Sequence, residues 1–194
     1  MFKSNILIVG PHRSGTTSLM KGLGEILELK TIEEPWNYYL HNTGEYEYPY
    51  FFKEYRLVKS LIEQKAIEWK KLSTIKFYLH CFELFDHIII LSRRDRTALA
   101  ESYAHQMQFG NFESWHTNYT IKDTGVLNLE TSKVNNWCDN IVELSNKSNI
   151  PITWHEDLYS GNTEILEEIV RKWGFSIDIQ RLQKYINPKN KYRI

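Results

Sequence analysis

The chain has 194 residues, 42% hydrophobic and 25% charged, a balance that suits a folded globular domain and excludes a disordered tail or a coiled coil. Its 24 Lys and Arg offset 24 Asp and Glu, so no overall field draws it to nucleic acid or to an acidic membrane, and any anion site has to be local. The two cysteines, Cys81 and Cys138, form no C-x-x-C pair, which argues against a disulfide scaffold or a zinc knuckle and points to a reducing, cytoplasmic setting.

The first apolar run, Asn5 to Val9, is β-branched and too brief for a secretory signal core or a bilayer span. It reads as a buried parallel strand that ends at Gly10-Pro11 and leads into a helix from Ser14 to Leu27. The next segment, Glu33 to Lys71, opens with nine aromatic rings between Trp36 and Tyr55. Rings at that density either pack core and loops or wall an acceptor cleft. Further strands are expected at Thr74 to Leu79, His87 to Ser92 and Pro151 to Trp154, and helices at Asp95 to Phe109, Lys133 to Lys147 and Gly161 to Trp173. This alternation predicts one α/β domain over 1–194, a parallel sheet of the P-loop type flanked by helices on both faces.

Gly10-Pro-His-Arg-Ser-Gly15-Thr16-Thr17 lies between a strand and a helix, where backbone N–H groups converge on a phosphate and the helix dipole favours an anion. The loop keeps the G-x-x-x-x-G spacing but carries Thr16 where nucleotide triphosphatases need lysine, and its basic residue, Arg13, sits inside the loop. The plainer reading is a glycine turn whose helix is capped by Ser14, Thr16 or Thr17. A second cationic element, Leu91-Ser-Arg-Arg-Asp-Arg96, ends the isoleucine-rich strand. Ligands of open α/β sheets bind beyond the carboxyl ends of strands, so Arg94 is placed to meet a second anion. A helix starting near Asp95 would return Ser102, eight positions after Arg94, to that same anion. The alternative is a solvated loop with surface ion pairs.

With these residues in view, the chain resembles the sulfotransferases that use 3′-phosphoadenosine 5′-phosphosulfate. Pro11 to Thr17 is similar to the family's 5′-phosphosulfate loop, P-x-K/R-S-G-T-S/T. Arg94 through Ser102, Tyr103 and His105 is similar to its R-x7-S segment, and Trp154-His-Glu-Asp-Leu158 to its Y-E-D-L segment. Arg93-Arg94-Asp95 resembles bacterial members that act on sugars such as trehalose. The similarity runs from Ile6 to about Trp173. Two departures stand out: Ser18 occupies the position of a tryptophan that stacks on adenine in many members, and the C-terminal R-K-G loop is missing, with only a basic 187–193 tail in its place.

The resemblance implies that Arg13, Ser14, Gly15, Thr16, Thr17 and Ser18 hold the 5′-phosphosulfate, and that Arg94 and Ser102 hold the 3′-phosphate, with no metal. A sulfuryl group carries one negative charge fewer than a phosphoryl dianion, so fixed cations such as Arg13 can neutralise the leaving group. An acceptor hydroxyl, of a sugar or another small molecule, needs a base. The resemblance offers Glu34, in Glu33-Glu34-Pro35, as in carbohydrate sulfotransferases, and His80, expected at a strand end as in cytosolic ones. Two other classes compete. A small nucleotide or metabolite kinase would need Mg²⁺ and an acidic residue, for which only Asp95 offers, amid arginines. A non-catalytic nucleotide-binding module would keep the loop and lack the base.

Overall fold

The computed structural model describes residues 5–36, 56–65, 71–109, 124–161, 163–174 and 178–186. Alternation along the first strand sets the layers. In β1 (Ile6–Gly10), Ile6 and Ile8 face one side and Leu7 and Val9 the other, and all four are fully buried. A strand apolar on both faces has to lie inside a sheet covered on both sides. Accordingly β1 is central: it pairs in parallel with β3 (Leu57–Leu61) on one flank and β4 (His87–Ser92) on the other. β2 (Thr31–Glu33) lies beyond β3 and β5 (Ile152–Trp154) beyond β4, giving an all-parallel sheet of order β2-β3-β1-β4-β5.

Helices cover both faces, as the sequence predicts. On the Ile6 and Ile8 side, α1 (Thr16–Ile26) contributes Leu19 and Leu23 to a core shared with two later helices, Glu164–Lys172 and Ile179–Ile186, which add Leu166, Val170 and Leu182. On the Leu7 and Val9 side, α2 (Thr74–Phe82) supplies Phe77 and Tyr78, α3 (Arg96–Phe109) supplies Leu99 and Tyr103, and α4 (Thr124–Ser148) supplies Val134 and Ile141. A short α5 (His155–Ser160) follows β5 directly. The helices Glu164–Lys172 and Ile179–Ile186 are α6 and α7.

One expected strand is a helix. Ile75, Phe77 and Leu79 alternate as a strand would, but the segment Thr74–Phe82 is α2. Ser73 accepts a hydrogen bond from the Lys76 amide at 3.3 Å, and Ile75, Tyr78 and Cys81 recur every three residues on the buried side. The strand actually paired with β1 there is β3, where the buried polar pair Lys59 and Ser60 interrupts the apolar run. Both cysteines are free and buried, and no helix among the described residues is long and apolar enough to cross a membrane. The aromatic stretch from Tyr38 to Tyr55 and the basic 187–193 tail lie outside the described residues.

Candidate functional site

The loop after β1 is built to leave amides unused. Gly15 is the N-cap of α1 in the left-handed region, at φ 92, and no side chain caps the helix. A Cβ at Gly15 would stand 2.6 Å from the Tyr159 hydroxyl, so both dihedral and space demand glycine. Two of the three hydroxyls near the helix start donate to other partners: Ser14 Oγ to the Pro11 carbonyl at 2.7 Å, and Thr17 Oγ1 to Glu33 Oε1 at 2.6 Å. A hydroxyl has one proton, so Ser14 and Thr17 have none left for a phosphate in this arrangement. What remains at the helix start is the dipole and its first N–H groups, the arrangement that binds anions.

Cations converge on that point. Arg13 Nε donates to Ser102 Oγ of α3 at 3.2 Å, which joins two segments 89 residues apart in sequence. Burial, and then the charge of Arg93, pull the Arg13 guanidinium down to about 10. Two like charges near each other raise each other's energy, and an anion beside them would relieve it. Arg93 is partly buried, and its Nε is out of contact with water and without a hydrogen-bond partner among the described residues. Its charge also reaches the partly buried Tyr159 phenol, whose ring stacks on His155 at 4.0 Å and which hydrogen-bonds Ser18. Ser18 thus meets the site through Tyr159.

Arg94 is occupied differently from the sequence expectation. Its guanidinium makes a two-pronged bond to Asp157, at 2.6 and 2.8 Å, and lies 5.1 Å from the centre of the Trp154 ring. Glu156 accepts from the backbone amides of Arg94 and Asp95 at 3.0 and 3.2 Å. The Glu-Asp pair of α5 therefore clamps the β4–α3 turn, and it is the charge of Arg93, not of Arg94, that acts on Arg13. Sequence spacing missed Arg93 because the family pattern fixes only its neighbour.

On the other flank, Lys59 is almost wholly buried and joins both acidic neighbours of the loop. Its Nζ lies 3.0 Å from Glu33 Oε1 and makes a short ion pair with Glu34 Oε1. Gln64 Nε2 donates to the second Glu34 oxygen at 2.8 Å. Glu34 is 8% exposed and sits at φ 52, a strained value for a residue before proline. Burial raises the Glu33 carboxyl, but the Lys59 charge and the bonds from Thr17 and Lys59 outweigh it and hold the group below its ordinary value. Among the described residues, four that are not glycine have positive φ. Glu28 and Asn149 follow the ends of α1 and α4, a common helix-terminating conformation. Of the other two, Arg13 lies within the loop and Glu34 follows β2, and no helix end accounts for either.

His80 lies elsewhere. It is in the last turn of α2, half-exposed, with Nδ1 3.3 Å from Glu83 on the same helix. The chain then enters β4 beside the start of β1, where the Asn5 amide bonds Asp86 at 2.7 Å. The loop is at the other end of β1, roughly 17 Å away for a five-residue strand. As a base for chemistry at the loop His80 is therefore out of place, and the strand-end position expected for it does not exist.

Among the described residues no cluster of His, Cys, Asp and Glu has the form of a metal site. Compared with protein-family models, curated proteins and solved structures, the chain matches none.

Proposed function

We propose that this chain is a sulfotransferase that moves the sulfuryl group of 3′-phosphoadenosine 5′-phosphosulfate to a hydroxyl of a small-molecule or carbohydrate acceptor. The observation that supports the reading is the Arg13 Nε to Ser102 Oγ bond of 3.2 Å, which brings the loop after β1 and helix α3 within hydrogen-bond reach of each other. A doubly anionic nucleotide needs two such groups facing each other. The uncapped start of α1 with Arg13 is suited to the 5′-phosphosulfate, and Arg93 with Ser102 to a second phosphate.

In the reaction the acceptor oxygen forms a bond to sulfur while the bond from sulfur to the 5′-phosphate oxygen breaks. The leaving phosphate gains charge as that bond lengthens. Arg13 and the amides of Gly15, Thr16 and Thr17 accelerate the step to the extent that their bonds tighten on that oxygen. Ser14 and Thr17 support the loop through Pro11 and Glu33.

Thermal-shift measurements with 3′-phosphoadenosine 5′-phosphate test the reading. A clear rise in midpoint is expected, larger than with ATP and Mg²⁺, and Arg13→Ala should lose most of it. Stabilisation by ATP with Mg²⁺ alone would replace this function with a kinase. Stabilisation by the bisphosphate without sulfur transfer to any acceptor would make the protein a binding module.

A further inference from the structure

The loop carries a histidine that the roles above leave unused. His12 immediately precedes Arg13 in the loop, and its ring lies against Tyr103, the neighbour of the Ser102 that Arg13 bonds. Three elements hold the ring: Nε2 lies 2.6 Å from Glu63 Oε1, just after β3, and the ring centre is 5.2 Å from Tyr103 of α3 and 5.4 Å from Trp137 of α4. Tyr103 and Trp137 meet edge to face at 4.9 Å, which fixes the two walls against each other. None of these contacts uses Nδ1, and the imidazole is 28% exposed.

We propose that His12, oriented by Glu63, is the base that takes the acceptor's proton; the assignment rests on the sulfuryl-transfer reading above. The other candidates are committed elsewhere: both Glu34 oxygens receive bonds from Lys59 and Gln64, Glu33 Oε1 is held by Thr17 and Lys59, and His80 is at the opposite edge of the sheet. The Glu63 carboxylate, 2.6 Å from Nε2, favours a proton on that nitrogen and so the tautomer whose lone pair is on Nδ1, the logic by which a carboxylate prepares a histidine base. As the acceptor oxygen bonds to sulfur and the 5′-phosphate departs, the hydroxyl proton passes to Nδ1. Glu63 then faces an imidazolium, and the proton leaves to solvent after release of the sulfated product. Glu63 is a positioning residue in this scheme.

The test uses sulfur-labelled 3′-phosphoadenosine 5′-phosphosulfate with water as acceptor and with a panel of mono- and disaccharides. His12→Ala and His12→Gln should lower turnover by about 10²–10⁴-fold, the usual contribution of a general base. Midpoint shifts with the bisphosphate should stay at the wild-type value. Added imidazole should restore part of the His12→Ala rate, which a merely structural histidine would not permit. Glu63→Gln should lower kcat with KM for the phosphosulfate unchanged. Wild-type turnover in His12→Gln, or no response of His12→Ala to imidazole, overturns the assignment. Bisphosphate binding with no transfer to water or sugar removes the base and keeps the nucleotide site, whereas no bisphosphate binding at all removes both.

Discussion

Arg93 and Arg94 are neighbours in sequence and opposites in circumstance. Arg94 is half-exposed and engaged by Asp157, while Arg93 has a buried Nε without a hydrogen-bond partner among the described residues and lowers Arg13 through its charge. A charge-assisted hydrogen bond contributes about 1.5–3 kcal/mol, so Arg93→Ala should weaken bisphosphate binding by roughly 10–100-fold. Arg94→Ala should weaken it less, acting through the unclamped turn. Titration calorimetry of the two variants decides, and the reverse order would return the second phosphate to Arg94. At Gly15, alanine meets both a φ of 92 and the Tyr159 hydroxyl. Gly15→Ala should cost about 1–3 kcal/mol of stability by urea unfolding, and bisphosphate binding should fall with it. The Arg13-to-Arg94 pattern was legible as a string, but that Arg94 is engaged by Asp157 and its turn by Glu156, more than sixty residues away, was not.

Among the elements, β3 is the one whose polar residues do most for the site. Lys59 ties β3 to Glu33 and Glu34 at the end of β2, and through Glu33 to Thr17 on α1. Lys59→Met leaves a buried Glu34 carboxylate without its cation and should destabilise the fold by about 3–5 kcal/mol in urea unfolding. An unchanged midpoint would show that water reaches the pair. The same network predicts a direction with pH. Glu33 is held below its ordinary value in the folded protein, so its contribution is complete above an unfolded value of about 4.3 and is lost as pH falls through the lower folded value. Glu156 is also lowered: burial opposes the shift, and the backbone amides of Arg94 and Asp95 help to outweigh it, so its loss runs the same way. The thermal midpoint should therefore drop on acidification below about pH 4.5, and less steeply in Glu33→Gln. These short polar strands escape sequence reading, because three residues of β2 make no periodicity and Lys59 and Ser60 mask β3. The α2 segment misleads for the converse reason: its apolar residues satisfy a two-residue period and a helical one together.

At the scale of the whole molecule, one sheet with two covered faces brings distant segments to a single edge. Phe77 fills the Leu7 and Val9 side without exposure, and Phe77→Ala should cost about 3–5 kcal/mol, read as a lowered urea midpoint with an unchanged slope. The sequence alone determined the order of layers around β1 and β4, because strands buried on both faces must be apolar throughout. It also marked the loop, because Gly10 and Gly15 bracket a short segment between an apolar strand and a helix. Tertiary structure alone decided which charged groups meet. Lys59 finds its glutamates, Arg94 its aspartate, and His12 its carboxylate and two rings across gaps of 25 to 125 positions, and no local periodicity encodes pairing over such distances. A side chain's charge is written in the chain, but the partner that spends or spares it is set by packing.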